Sequence, residues 1–390
     1  MRIVLWAEAF WPKIGGVEVN AAELVPLLSQ RGHEISVITA RDDSDLPPFD
    51  LYRGVAVHRL PLLDPLRRRD LGKIADTRRR LGELWRELSP QLVHVMFCFG
   101  PSVFFLNGVA RAGSGPTVVT VPGYVEAPTG GHTLMRNTLT RAAWVTAPSH
   151  AVHRHITTLF PEVGGRSSVI YNGLAEPEGT RDPLPSPDGP PTLVCIGRLT
   201  AEKGFDVAVS AMGQVIEQHP TARLLIAGDG PERGGLERLA SDCGVAESTD
   251  FLGWVSPRRV WELLDRAHVV IVPSRAVEGF GLVAVEAALR ERPVVASRIG
   301  GLPEVVADGE TGVLCEPDDS GALAEAVVTL LSTPARAAAL GRAGAARARE
   351  RFALERQADG FEALFAELVG GACPTGVEAR ARSGPRAKHA

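Results

Sequence analysis

Cysteine is scarce. The 390 residues contain five, Cys98, Cys195, Cys243, Cys315 and Cys373, which stand far apart and form no Cys-x-x-Cys pair. That spacing excludes a metal or redox motif built on such a pair, and it reads as reduced thiols packed in the strands and helices of a cytoplasmic protein. Long apolar runs are missing too. No stretch reaches about 18 apolar residues, so no segment is expected to cross a membrane. Residues 1–6 meet Glu8 too soon for a signal peptide and read as a first strand. Charge of one sign is not in excess: the formal net charge is −4, which gives no footprint for nucleic acid. What remains is 45% apolar and 23% charged, ordinary for soluble globular protein, over a length that allows two or three domains.

Short apolar strands alternate with amphipathic helical patterns, which implies α/β layering with parallel sheets. In the first half, strands are expected at 3–6, 34–39, 55–59, 92–97, 117–121, 144–147 and 168–170. In the second half they are expected at 192–196, 223–227, 269–272, 294–296 and 313–315. Residues 176–191 lie between and carry Pro177, Pro183, Pro185, Pro187, Pro190 and Pro191. Such a run makes neither a helix nor a central strand, so it reads as a linker between domains at 1–175 and 190–350. A last periodic stretch, 354–368, precedes a small, basic tail at 371–390 (Arg380, Arg382, Arg386, Lys388) with the composition of a disordered segment.

The most informative segment is Glu278-Gly279-Phe280-Gly281-Leu282-Val283-Ala284-Val285-Glu286, with carboxylates eight positions apart. An apolar run at 267–272 precedes it, and the pattern turns helical over 281–290. Strand, glycine-rich loop and helix N-terminus together leave free backbone N–H groups for an anion. The carboxylates have no use for phosphate and would take hydroxyls from a sugar or ribose. Upstream, Gly197-Arg198-Leu199 ends the strand at 192–196, and Glu202-Lys203-Gly204 stands at the mouth of the next helix. Arg198, through its forked donors, and Lys203, as a point charge, can neutralise a diphosphate.

In this order the two segments are similar to the Glu-x7-Glu motif and the Gly-Arg-x3-Glu-Lys-Gly phosphate loop of retaining glycosyltransferases of GT-B fold, family 4 (glycosyl transferases group 1). The resemblance covers Met1 to about Leu368. It implies two Rossmann-like domains facing across a central cleft, an N-terminal one for the acceptor and a C-terminal one for a nucleotide sugar. By the same resemblance, 354–368 is a C-terminal helix that crosses back onto the first domain, and Asn172-Gly173 is the hinge that closes that domain. The implied catalytic residues are Arg198 and Lys203 on the diphosphate and Glu278 on the donor sugar's hydroxyls. Glu286 would hold the ribose. Gly16, Leu252, Gly279, Phe280, Gly281 and Leu282 would complete the donor site, largely through backbone groups.

Leu252 belongs to Phe251-Leu252-Gly253-Trp254, which resembles the family's nucleobase-lining segment. Gly228-Asp229-Gly230-Pro231 resembles its Gly-Asp-Gly-Pro turn and reads either as a plain tight turn or as a ligand contact. Gly300-Gly301-Leu302-Pro303-Glu304 and Asp308-Gly309-Glu310-Thr311-Gly312 complete a family-like tail and read mostly as loops that cap helices and strands. Gly15-Gly16-Val17-Glu18 opens a helix at 17–29 and would approach the diphosphate, with Trp11, Pro12, Lys13 and Ile14 shaping the acceptor entrance. No metal is expected, because two cations and a helix N-terminus would replace Mg²⁺ and no Asp-x-Asp lies near the second-domain loops. No cofactor is expected either: the nucleoside diphosphate-sugar is a substrate, and it and an acceptor molecule are the expected partners.

One position departs from the family. Where a histidine commonly follows the strand at 117–121, this chain reads Val121-Pro122-Gly123-Tyr124. Neither His132 nor His94 aligns to that role. The departing phosphate can still take the acceptor proton, so the loss bears on donor-hydroxyl recognition and rate. Arg67-Arg68-Arg69 and Arg78-Arg79-Arg80, interleaved with Leu71, Ile74, Leu81, Leu84 and Trp85, read as a solvated helix face packed on a sheet; weak peripheral membrane contact is the lesser reading. The expected activity is metal-independent, retaining hexosyl transfer from a UDP- or GDP-sugar to a hydroxyl of a glycan, glycolipid or small molecule. The alternatives are a sugar-nucleotide epimerase or hydrolase, whose acid/base residues have no assignable place here, and a sugar-nucleotide-binding protein that has lost catalysis.

Overall fold

A computed structural model describes residues 1–13, 15–41, 45–96, 100–110, 115–125, 133–176, 185, 189–276 and 278–371. The chain divides into two units. Met1–Gly173 joins with the segment from Leu354 onward, and Leu174–Ala353 forms the other unit. Most of the expected linker, and the tail beyond Gly371, lie outside the described residues.

The first unit begins with β1 (Arg2–Ala7), α1 (Gly16–Gln30), β2 (Glu34–Ala40), β3 (Phe49–Tyr52) and β4 (Val55–Leu60). It continues through α2 (Asp64–Arg67), α3 (Leu71–Leu88), β5 (Leu92–Met96), α4 (Val103–Val109) and β6 (Thr117–Thr120). Then come α5 (Thr133–Arg141), β7 (Trp144–Ala147), α6 (His150–Leu159) and β8 (Ser167–Val169). The strands lie in the order β3-β4-β2-β1-β5-β6-β7-β8. β1 and β5 are buried almost throughout because helices cover both faces, which is why they read as continuous apolar runs.

Two details correct the sequence reading. The sheet is not wholly parallel: β3 pairs antiparallel with β4 at the edge, Phe49 opposite His58. Its run Phe-Asp-Leu-Tyr is short and mostly exposed, so it carries no buried-strand signal. In the second half the strand Thr249–Gly253 was not foreseen, because its polar start breaks the apolar pattern.

The second unit comprises β9 (Thr192–Ile196), α7 (Phe205–Gln218), β10 (Arg223–Ala227), α8 (Arg233–Asp242), β11 (Thr249–Gly253), α9 (Pro257–Arg266) and β12 (Val269–Val272). It ends with α10 (Leu282–Leu289), β13 (Val294–Ser297), α11 (Leu302–Val305), β14 (Val313–Cys315), α12 (Ser320–Ser332) and α13 (Pro334–Arg351). Its strand order is β11-β10-β9-β12-β13-β14, parallel throughout. In both sheets the chain first builds to one side of its opening strand and then jumps to the other. The reversals fall between β1 and β5 and between β9 and β12, where open α/β sheets leave a crevice at the carboxyl ends of their strands.

The last helix, α14 (Leu354–Val369), packs in the first unit. Gln357 and the buried Asn20 of α1 exchange amide hydrogen bonds at 2.8 and 2.9 Å, and the Gln357 Oε1 also accepts from Gly173 N at 3.0 Å. Phe361 and Phe365 lie against the His94 ring at 4.6 and 5.5 Å. Truncating the fully buried Phe361 to Ala would cost about 3–5 kcal/mol through the cavity left. Among the described residues no single helix is long and apolar enough to cross a membrane, and the apolar side of α12 (Leu323, Val327, Leu330) is core.

Candidate active site

At the reversal of the second sheet, two loops back on each other. The first leaves β9 through Gly197 and Arg198 and tightens into a single turn, Ala201–Lys203, ahead of α7. The second leaves β12 through Pro273 and Ser274. Gly204 holds them together: its φ is +66°, and a Cβ there would collide with the Pro273 carbonyl. Arg275 adds a brace. Its N–H donates to the Glu202 carbonyl at 3.0 Å, and its guanidinium meets Asp206 at 2.6 Å and Asp318 at 2.7 Å.

This brace brings Lys203 onto Glu278. Lys203 Nζ lies 2.7 Å from Glu278 Oε2, and the buried Ser274 hydroxyl donates to the same oxygen at 3.2 Å. The sequence reading gave Lys203 and Glu278 separate tasks; without a ligand they neutralise each other. Gly301 N donates to the Glu278 carbonyl at 2.9 Å, and a side chain at Gly300 (φ +58°) would strike that carbonyl. The Gly300-Gly301 loop therefore props Glu278. Arg198 is exposed and has no carboxylate within ion-pair reach among the described residues.

Helix α10 starts from Gly281, and the N–H groups of Leu282 and Val283 meet no acceptor among the described residues. They are the open donors that an anion would find. Phe280 contributes only backbone here, since its ring is buried edge-on to Phe352 at 5.3 Å. Glu286 sits on α10 with no donor to its carboxylate among the described residues. The surrounding protein strips it of water, and desolvation pushes its pKa up to about 7. The side chain is still partly reachable by solvent, so a ligand hydroxyl can meet it.

The other expected contacts fall nearby in the same unit. The Gly228-Asp229-Gly230-Pro231 turn supports the phosphate loop: Leu199 N donates to the Asp229 carbonyl at 3.0 Å, and Glu232 N to the Leu199 carbonyl at 3.0 Å. Leu252 and Trp254 are exposed at the end of β11, and Gly228 N bonds the Gly253 carbonyl at 2.8 Å. Asp308 serves structure, pairing with Arg298 at 2.5 Å and accepting from Leu314 N at 2.9 Å. Ser274 and Arg275 were missed in sequence because a Pro-Ser-Arg run has no chemical signature; only its neighbours give it a role.

In the first unit, α1 starts at Gly16 from an extended Gly15. The Glu18 carboxylate folds back over Gly15, placing negative charge where Gly16 was expected to meet a diphosphate. Ile14 lies outside the described residues, but the Trp11 carbonyl is fixed by the buried Arg59 at 3.0 Å.

His94 does not fill the place taken by Pro122. His94 is fully buried, bonds Thr120 Oγ1 at 2.8 Å and is held neutral by burial, which lowers its pKa to about 3; His132 is outside the described residues. A different histidine, His155 of α6, stands within hydrogen-bond reach of Val125 N and O (3.1 and 2.7 Å) and clamps the loop after β6. The arginine run on α2 and α3 is laced with carboxylates. Arg68 pairs with Asp64, Arg79 with Asp76 and Glu83, and Arg80 with Asp76, while Leu81 and Trp85 are core. Among the described residues no three His, Cys, Asp or Glu side chains gather to hold a metal ion, and Cys195, Cys243 and Cys315 are free thiols.

Comparison with known proteins agrees with this architecture. The model described as Glycosyltransferase Family 4 matches residues 14–175, and that of Glycosyl transferases group 1 matches 178–347. The D-inositol 3-phosphate glycosyltransferase of Acidothermus cellulolyticus is 31% identical over 397 residues, covering 91% of this chain and 86% of the relative. Glycogen synthase of Mycobacterium tuberculosis is 40% identical over 204 residues, 52% of this chain; the match spans about half the length of that relative, 48%. Among solved structures, Anabaena HepE in complex with UDP and glucose superposes with a TM-score of 0.77 at 21% identity, covering 94% of this chain and 100% of that one. The fold is that of the GT-B glycosyltransferases. The chain belongs to glycosyltransferase family 4, whose group 1 domain coincides with the second unit.

Proposed function

We propose that the protein transfers a sugar, with retention of anomeric configuration and without a metal ion, from a nucleoside diphosphate donor to an acceptor hydroxyl. The observation that carries this reading is the Lys203–Glu278 pair at the second sheet's reversal, with Glu286, which has no donor among the described residues, and the open N-terminus of α10. Arg198, Lys203 and the Leu282 and Val283 N–H groups receive the diphosphate. Glu286 accepts from ribose hydroxyls. Glu278, released from Lys203 by the incoming phosphate, accepts from hydroxyls of the donor sugar. In the transfer the bond from the anomeric carbon to the phosphate oxygen breaks, and a bond to the acceptor oxygen forms on the same face. The acceptor proton passes to the departing phosphate, whose charge the two cations stabilise. UDP as the carrier is suggested by the UDP in the HepE structure. A cytoplasmic setting belongs to the same proposal and is supported by the free thiols.

A panel of labelled UDP-, GDP- and ADP-sugars, incubated with cell extract as acceptor source and saturating EDTA, tests the reading. Label transferred with retained configuration supports it. Epimerised or hydrolysed donor without transfer, binding without turnover, or a strict divalent-ion requirement each contradicts it.

A further inference from the structure

Glu8 follows β1 and Gly100 follows β5, so the two meet where the first sheet's strand order reverses. The Glu8 carboxylate lies over Gly100 so closely that a Cβ there would collide with it. Its Oε2 is shut off from water and accepts no hydrogen bond among the described residues, although the residue as a whole is only partly buried. A carboxylate oxygen stripped of water with no donor is unfavourable for folding and calls for a functional reason. A glycine-capped helix at such a crevice ordinarily takes a phosphate. Here Glu18 already lays a carboxylate on the start of α1, and Glu8 adds a second negative group at the same crevice. Carboxylates repel an anion and accept from hydroxyls.

We propose that Glu8 is a specificity-determining residue for the acceptor: its carboxylate accepts hydrogen bonds from hydroxyls of a neutral polyol or sugar. This rests on the transferase reading and narrows it. The part of the acceptor that enters the first unit's crevice is polyhydroxylated and uncharged, not a phosphate or carboxylate. Gly100 is part of the device, since it is the absence of its side chain that leaves room for the carboxylate.

Titration calorimetry on the full chain tests this, with glucose, myo-inositol and their monophosphates as probes and free nucleoside diphosphates as control. Wild type is expected to bind at least one neutral polyol and to bind its monophosphate more weakly. Glu8→Ala should weaken that polyol about tenfold and Glu8→Gln somewhat less, the loss of a hydrogen bond to a charged group. Gly100→Ala, which displaces the carboxylate without removing it, should behave like Glu8→Ala. Nucleoside diphosphate affinity should stay unchanged in all three. The thermal midpoint of Glu8→Gln should hold or rise, because an unpaired charge is gone, whereas a purely structural Glu8 predicts a fall. Equal polyol affinity in wild type and Glu8→Ala, preference for the monophosphates, or no polyol binding by wild type would overturn the assignment. Failure of wild type to bind any nucleoside diphosphate would instead sink the transferase reading, so the two failures are separable.

Discussion

The two units reverse their strand order in the same way, yet the crevices at the two reversals carry opposite chemistry. Between β9 and β12 stand an exposed Arg198 with no ion-pair partner among the described residues, a Lys203 held on Glu278, and a helix start whose first N–H groups meet no described acceptor. Between β1 and β5 stands Glu8, whose Oε2 has no donor among the described residues, and the helix start beside it is covered by Glu18. Topology supplies a crevice in each case, and a few side chains decide what it accepts. The crevice with Arg198, Lys203 and the open N–H groups of α10 suits a diphosphate; the one with Glu8 suits hydroxyls. On the proposed reading, the leaving group belongs to the second unit and the nucleophile to the first.

The largest expected effect breaks the cationic side. Arg198→Ala or Lys203→Ala should lower turnover by about 2–4 kcal/mol in transition-state terms, roughly thirtyfold to a thousandfold, as for other preorganised charge contacts. Steady-state rates with the donor found in the panel check it. Near-wild-type rates in both variants would remove the phosphate assignment.

Next come the two glutamates of the second unit. Glu286→Gln should weaken free nucleoside diphosphate and intact donor alike, by about 1.5–3 kcal/mol for a charged hydrogen-bond acceptor. Glu278→Gln should leave nucleoside diphosphate affinity unchanged or tighter, because it frees Lys203 from its 2.7 Å partner. If calorimetry shows Glu278→Gln to be the weaker binder of nucleoside diphosphate, the roles are reversed. The pH dependence adds a second reading. With its pKa raised to about 7, Glu286 gains its charge only near neutrality, so affinity should rise from pH 6 to 8 more steeply in wild type than in Glu286→Gln.

Stability should respond to pH with opposite signs in the two units. Glu286 binds its proton more tightly folded than unfolded, so its contribution is full below about pH 4.5 and is lost as pH rises through about 7. His94 is the reverse. Its pKa is depressed to about 3, so stability is lost as pH falls below about 6.5, by up to about 1.4 kcal/mol per unit. Denaturation curves at several pH values should flatten on the acid side in His94→Gln and on the neutral side in Glu286→Gln. Unaltered slopes would show that neither burial governs titration.

The smallest effect concerns Glu18. If Gly16 N–H meets the donor diphosphate, Glu18→Gln should tighten donor binding by a few tenths of a kcal/mol, the value of a screened charge at a helix start. No change would leave Gly16 out of the donor site.

How much of this was legible beforehand differs between the two crevices. In the second unit the motif residues are close in sequence to strand ends and helix starts, so Arg198, Lys203, Glu278 and Glu286 could be named from local pattern alone. The braces could not. Ser274, Arg275 and the Gly300 loop act only across strands, and nothing in their own neighbourhoods marks them. In the first unit neither His94 nor His132 could be assigned the role left open by Pro122, and His94 is structural. His94 looks available at a strand end, but α14, arriving from more than 250 residues away, seals it under Phe361 and Phe365.

The sequence by itself determined the α/β alternation, the division into two units and the family, because apolar period and glycine-rich turns are local properties of the chain. Only the tertiary structure decided which charges stand alone and which are paired. Lys203 and Glu278 are 75 positions apart and neutralise each other. Glu8 and Gly100 are farther apart still, and only their packing reveals a carboxylate oxygen with no donor among the described residues. Pairing is set by distance in space, and the reversal of strand order, which no local pattern encodes, sets that distance.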